Sequence, residues 1–487
     1  MLILKHNALS VEDLFTIERQ LLRWLDNKEI NIGLDFNVLS LGRTDIYGQL
    51  LGIFTRMGCI DILNITHSDL LDFFIDVDAA YLNAPYHSFY HAVDIVFMIY
   101  YMLTDLDAKH FIPSLDIAAL LIAALCHDIG HPGYNNVYQI NFETDLAKIY
   151  NNTSVLEAFS ADMTRSLILK KHVNLVNNLS SHREDWISKI ETLIMHTDMV
   201  HHYILQEQAG LLEEMIYRYC SEYADSSMIN EGDDYFQLGI QQQQKPLPIF
   251  SSPSSSSETV SSEWLNKVNQ SISPQYYSSN KSLLTDQQCQ QLSCILLHAA
   301  DISNTVRPWN ISKQWSDLIV QEFFRQGDME KQHGLAVSPG MDRDLSTQPD
   351  ISLTFGDLVV KPYFEQLANL LPGAQIFLDC LDKNRNEWIR IKQSESKDGL
   401  IQLLHSDDPL LQQRQFPISL LPLPETAIQP NIERRVSVAA GTLVIPKNVN
   451  YNNNNNNKSS SRYGLRSYSF AMERTNIARK MSHGPLL

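Results

Sequence analysis

The sequence predicts an all-α protein. Apolar residues recur three and four apart from about residue 32 to 204, and again from Leu283 to about residue 405. Over the same stretches, β-branched alternation and the Gly-turn signals of hairpins are scarce. The longest apolar run, Ile117 to Cys126, is ten residues. A membrane span needs about twenty, so this run is expected as a buried helix.

In chain order, the spacing first predicts a helix over residues 10–30. Ser10 can cap it, Glu12 and Asp13 sit in its first turn, and Leu14, Ile17, Leu21, Leu22 and Leu25 recur at helical intervals. Residues 1–31 are therefore expected as an N-terminal helical extension, and 32–405 as the main domain. Between 223 and 281 the composition changes to Gln241–Gln244, Pro246-Leu-Pro248 and the run Ser251-Ser-Pro-Ser-Ser-Ser-Ser257. Such sequence buries too little apolar area to offset its ordering entropy, so a disordered insertion is expected there. Residues 406–487, with their prolines and the tract Asn452–Asn457, are expected as a disordered tail. No internal repeat and no coiled-coil heptad is visible, and oligomeric state stays open.

The net charge of −18 argues against nucleic acid or an anionic membrane as a partner. The charge is unevenly spread. From Glu433 to Leu487 nine Lys or Arg stand against two Glu, which puts +7 on the tail and −25 on the rest. Six cysteines without a C-x-x-C pair suggest a reducing compartment. The opening Met-Leu-Ile-Leu-Lys-His lacks the layout of a signal peptide, so a soluble, cytoplasmic protein is expected.

Four segments carry the chemistry. They are Tyr86-His-Ser-Phe-Tyr-His-Ala-Val-Asp94, Cys126-His-Asp-Ile-Gly-His-Pro-Gly133, His196-Thr-Asp198 and His298-Ala-Ala-Asp-Ile-Ser-Asn304. On a helix, His87 and His91 would share a face, and so would His127 and His131. Imidazole and carboxylate hold hard or borderline divalent cations, and a carboxylate can bridge two of them. Two cations close together can clamp a phosphate and activate water, and a protonated imidazole can protonate the departing oxygen. Metal-assisted phosphoester hydrolysis is the chemistry these residue types suit. Singly, each motif has a plainer explanation. Most H-x-x-x-H pairs are structural, and Asp301-Ile-Ser-Asn304 alone would serve as a cap and turn.

In order and spacing, these segments resemble the class I 3′,5′-cyclic nucleotide phosphodiesterases, whose catalytic domain is a compact multi-helix member of the HD superfamily. The likeness covers about residues 32–400 apart from the insertion. It includes Asn136 after the second segment, then Gln314-Trp-Ser-Asp317 and Glu322-Phe-Phe-x-Gln-Gly-Asp328. The resemblance implies that His91, His127, Asp128 and Asp301 hold a first cation, zinc. Asp128 would bridge to a second, magnesium or manganese, whose waters His131 and Thr197 would bond. It implies that His87 protonates the leaving 3′-oxygen with Glu157 orienting it. Asn304 and Ile319 would line the nucleoside pocket with Tyr86 and Met199, and Phe355 would stack on the purine.

This chain departs from the pattern at two positions. Gly130 stands where an acidic residue is common. Ser352 stands where the family has a glutamine that bonds the purine edge, with Gln348 one helical turn earlier. Serine cannot make paired amide contacts, so weaker or relaxed base recognition is expected. The expected substrate is cyclic AMP, with cyclic GMP or dual specificity as the alternative. The competing readings are another HD-type phosphohydrolase and an inactive nucleotide-binding scaffold. Arg434-Arg-Val-Ser437 and Arg479-Lys-Met-Ser482 resemble sites for cyclic-AMP-dependent protein kinase, making Ser437 and Ser482 candidate phosphosites. No regulatory domain is recognisable ahead of residue 32.

Overall fold

The computed structural model describes residues 2, 9–26, 32–229 and 284–404, with the pairs 438–439 and 442–443; residues 217–229, 396–404 and the two pairs are described by backbone alone. Most of the expected insertion, most of the expected tail, Ser437 and Ser482 lie outside the described residues.

Helix α1 (Val11–Leu25) starts as its sequence predicts. Ser10 accepts the N–H of Asp13, and the Asp13 carboxylate accepts the N–H of Ser10 in return. It stops at Leu25, short of residue 30, because the polar run Asp26-Asn-Lys-Glu29 offers nothing to bury. Helix α2 (Arg43–Arg56) packs directly on it. A Cβ at Gly52 would lie 2.2 Å from the Trp24 indole, so only glycine allows this approach. The Trp24 indole N–H donates to Gln49 Oε1 at 2.9 Å, which satisfies its one polar group. Ile17, Leu21 and Trp24 belong to the main core.

Helices α3 (Cys59–Leu63) and α4 (His67–Ala80) lead to the two central helices, α5 (Phe89–Thr104) and α6 (Ser114–Cys126). Every residue of α5 from His91 to Leu103 is buried, as is every residue of α6 from Asp116 to Cys126. Helices that are apolar all round belong in the middle of a core. Among the described residues no helix is long and apolar enough to cross a membrane. Around this pair stand α7 (Asn136–Asn141), α8 (Asp145–Ile149), α9 (Val155–Lys170), α10 (Arg183–Met195) and α11 (His202–Ile229). Helix α11 runs on through Ile229, so the helical path enters the insertion expected from residue 223.

The next described helices are α12 (Asp286–Asp301), α13 (Trp309–Gln332) and α14 (Gln348–Phe355). A π-helical turn at Gly356–Val360 joins α14 to α15 (Lys361–Leu370), and α16 (Gln375–Leu404) closes the body. Within the expected tail, β1 (Val438–Ala439) pairs antiparallel with β2 (Thr442–Leu443).

One buried ion pair ties the layers together. Arg307, 1% exposed, follows α12, and Asp94, 2% exposed, lies on α5. Arg307 Nη1 donates to both Asp94 oxygens at 3.0 and 3.1 Å, and Nε donates to the Leu34 carbonyl at 2.8 Å. Its Nη2 donates to the Phe36 carbonyl. Removing one partner of such a pair strands a buried charge. Arg307→Met is expected to destabilise the protein by about 3–5 kcal/mol. The measurement is the urea midpoint, and Asp94→Leu in the same chain should recover part of the loss.

Candidate metal centre and catalytic site

The site is built at helix ends. Helix α5 begins only at Phe89, with Ser88 extended at φ −125°, so His87 lies in the bend before the helix and His91 in its first turns. Helix α6 ends at Cys126, and His127 is its C-cap. Asp128 to His131 then turn away through Gly130 at φ +77°. The expectation that each histidine pair shares one helical face is therefore corrected. The start of α5 after Ser88 and the turn at Gly130 beyond the end of α6 let neighbouring residues converge from different directions. At Gly130 the Phe159 ring fills the space of a side chain, 2.5 Å from where a Cβ would stand.

His91, His127 and Asp301 present ligand atoms within 4.8 Å of one another. His91 Nε2 is 3.0 Å from Asp301 Oδ1 and 3.9 Å from Asp128 Oδ2. His127 Nε2 is 3.1 Å from Asp128 Oδ2 and 3.5 Å from Asp301 Oδ1. His127 Nδ1 lies 2.9 Å from the Ala124 carbonyl, which only accepts. That nitrogen must carry the proton, which turns the Nε2 lone pair toward the carboxylates. His127 Nε2 and Asp128 Oδ2 are buried without a hydrogen-bond partner. Two facing lone pairs in a buried pocket fit a cation between them, and the donor set of imidazole and carboxylate suits zinc, magnesium or manganese. The local field agrees. Against the cost of burial, Asp128 and Asp301 hold the His127 pKa well above its usual value. Asp301, despite burial, is held low by His127 and His91.

His131 takes a different part. Its Nδ1 accepts the Gly133 N–H at 3.0 Å, leaving Nε2 to carry the proton. Burial and the neighbouring His87 push it down to about 3, so it stays neutral. A neutral ring with Nε2–H is a donor to water, not a ligand through that nitrogen. Its ring stacks on His87 with centroids 3.9 Å apart.

His87 is gripped by Glu322, not by Glu157. Glu322 Oε2 lies 2.7 Å from His87 Nδ1, and Glu322 Oε1 accepts the N–H groups of Tyr86 (2.6 Å) and His87 (2.9 Å). Burial works against charge on His87, but Glu322, Asp128 and Asp301 outweigh it and raise the imidazole to about 9. Glu322 itself is lowered to about 2 by His87, despite its own burial. The expected Glu157–His87 pairing is thus a correction. Glu157 starts α9 and accepts from Asn136 Nδ2 at 2.9 Å, while burial and nearby Asp198 raise it to about 8. Sequence reasoning held Glu322 within a quoted motif but gave it no role. An acid beside two phenylalanines on a helix was the available signal.

Thr197 is buried and donates its hydroxyl proton to the Ile194 carbonyl at 2.8 Å. Tyr86 packs edge-on to Trp315, and Trp315 also backs the His91 ring, with centroids 5.6 and 5.8 Å away. Beside this cluster of possible cation ligands lies a cleft partly open to solvent. Tyr86, His87, Met199, Asp301, Asn304, Ile319, Ser352 and Phe355 all line it, so these expected residues do share one cavity. Ser316, Thr305 and Trp388 line it too and were not foreseen.

A family profile described as 3′5′-cyclic nucleotide phosphodiesterase matches residues 86–381. The 3′,5′-cyclic-nucleotide phosphodiesterase regA of Dictyostelium discoideum is 28% identical over 390 residues, covering 79% of this chain and 41% of that protein. The human high affinity cGMP-specific 3′,5′-cyclic phosphodiesterase 9A is 29% identical, over 68% of this chain and 45% of its own length. The mouse 3′,5′-cyclic-AMP phosphodiesterase 4C is 26% identical, over 76% and 46%. The chain thus spans less than half the length of these curated relatives. Among solved structures, the phosphodiesterase domain of the RhoPDE fusion protein from the choanoflagellate Salpingoeca rosetta superposes with a TM-score of 0.58 at 24% identity, over 78% of this chain and 99% of that one. LmjPDEB1 in complex with IBMX gives 0.59 at 20%, over 80% and 100%. At such identities these two structures establish a shared fold.

Because Glu322 raises His87, its removal should move the His87 titration. At equal metal loading, Glu322→Gln is expected to bring the His87 midpoint down from the wild-type value toward the usual 6.5. The imidazole proton resonances followed against pH measure it; an unmoved midpoint contradicts the Glu322 assignment.

Proposed function

This chain belongs to the 3′5′-cyclic nucleotide phosphodiesterase family, and from that premise we propose that it hydrolyses a purine 3′,5′-cyclic nucleotide to the nucleoside 5′-monophosphate. The observation that carries the proposal is His87, held by Glu322 through Nδ1 and lining the same cleft as Asp301 of the cation cluster. An acid and a cation-binding group facing one cavity are what cleavage of a cyclic phosphodiester needs.

In this reading His91, His127, Asp128 and Asp301 would hold zinc, and Asp128 would also serve a second cation, magnesium or manganese. The cations supply charge neutralisation for the phosphate and a nucleophile from water near neutral pH. Around them the chain's own groups do the rest. His131, with its proton on Nε2, and Thr197 would order water beside that second cation. Asp301, ionised, is placed to take the proton released by attack. His87 delivers its Nε2 proton to the 3′-oxygen as the P–O3′ bond breaks, and Glu322 stabilises the imidazolium before transfer. Glu157, bonded to Asn136, supports the water network rather than the acid. The nucleoside would lie against Phe355 and Ile319, with Met199, Tyr86 and Asn304 completing its walls. Cyclic AMP is the substrate first expected from the sequence. The named relatives include both a cyclic-GMP-specific and a cyclic-AMP enzyme, so the choice of base falls to this chain's own pocket.

His87→Ala is expected to lower kcat by about 10²–10⁴-fold with metal content unchanged. Steady-state 5′-monophosphate formation and elemental analysis of the same preparation test this. Wild-type turnover in the variant would rule His87 out as the acid. Asp128→Asn, by contrast, is expected to lose bound metal and turnover together, and adding excess cation should restore part of both.

A further inference from the structure

The charged groups of the cleft, Asp301 and His87, come from the end of α12 and the bend before α5. The lining contributed by α13, α14 and α16 carries none. If the anionic phosphate lies at the cations, as the function proposed above requires, that uncharged wall receives the base. Its side-chain acceptors are the hydroxyls of Ser312, Ser316 and Ser352; Trp388 offers only an indole donor.

Two of these hydroxyls form a pair with a defined anchor. Ser316 Oγ and Ser352 Oγ are 3.0 Å apart. From behind, Gln348 Nε2 donates to Ser316 Oγ at 3.0 Å and to Asp317 Oδ1 at 2.7 Å. A carboxylate only accepts, so the amide cannot turn its oxygen to Asp317, and both Nε2 protons are committed. Ser316 therefore always accepts from Gln348. The bond between the two serines remains free to run either way. When Ser316 donates, Ser352 keeps its proton for the cleft. When Ser352 donates, it presents only lone pairs there. Both states retain the Ser316–Ser352 hydrogen bond, so changing between them sacrifices no contact.

We propose that the Ser316–Ser352 pair, anchored by Gln348, reads the purine edge and accepts both adenine and guanine by reversing that one hydrogen bond. Adenine offers an exocyclic amino donor, which the acceptor state of Ser352 meets. Guanine offers a carbonyl acceptor, which the donor state meets. A fixed polar group strongly rejects a base whose hydrogen-bonding groups do not match its own. A rotatable hydroxyl pair leaves neither base facing an unsatisfied group.

The test is competitive hydrolysis of cyclic AMP and cyclic GMP by the full, metal-loaded chain. The two kcat/KM values are expected to agree within about tenfold, the scale of one hydrogen bond. Ser352→Ala should raise KM for both nucleotides by about three- to tenfold with kcat retained. The positioning role of Gln348 has its own readout. Gln348→Glu, made with Asp317→Asn to avoid adjoining carboxylates, forces Ser316 to donate backward and fixes Ser352 as an acceptor. The kcat/KM ratio should then move toward cyclic AMP by about three- to tenfold. A larger wild-type preference for one base, a KM effect on one nucleotide alone, or an unmoved ratio in the double variant overturns the proposal and leaves the enzymatic reading standing. No turnover of either nucleotide overturns both.

Discussion

Asp128 and Asp301 are set among His91 and His127 inside an apolar helical body, and the arrangement of the helices answers to that burial. Removing charges from water costs several kcal/mol per ion even after relaxation, roughly speaking, unless something compensates. Part of the compensation is mutual, since imidazoles and carboxylates hold one another at 3.0 to 3.9 Å. The rest falls to cations. His127 caps the C-terminus of α6 and Asp301 ends α12, so the partial negative charge of two helix ends adds to the carboxylates. Among the described residues the buried arginine, Arg307, is already satisfied by Asp94 and two backbone carbonyls. The pocket thus keeps an excess of lone pairs, the condition for holding divalent metal.

The same economy of partners explains why His87 and His131 differ although their rings stack. Glu322 meets His87 at Nδ1 and favours the imidazolium. His131 meets a backbone N–H at Nδ1 and is kept neutral by burial and by its charged neighbour. One imidazole becomes an acid and the adjacent one a neutral donor. The difference is set by what each Nδ1 faces.

Much of this was legible in the sequence because burial leaves a periodic trace. The apolar spacing around Ile117–Cys126 marks a helix at the centre of the core, and the Ser10/Asp13 pair marks a start that the structure reproduces. The ligand-type residues of the cation cluster were readable from residue type alone. What spacing cannot convey is where a helix lets go. His87–His91 and His127–His131 read as helical ridges, whereas Ser88 and Gly130 break the path between them. Nor does spacing report distances across the chain. Glu322 is 235 positions from His87, and Glu157, much nearer in sequence, had the same chemistry to offer. The Ser316–Ser352–Gln348 contact was half visible. The serine stood out as a departure with the glutamine one turn before it, but the second hydroxyl and the carboxylate that fixes the amide come from another helix.

The central claim is that these residues form the cation site of a hydrolase, and its most direct test is diffraction from crystals grown with manganese. Anomalous scattering is predicted to place one ion among His91, His127, Asp128 and Asp301, and a second within reach of Asp128. Anomalous density elsewhere, or none at these side chains in protein that turns over cyclic nucleotides, would contradict it.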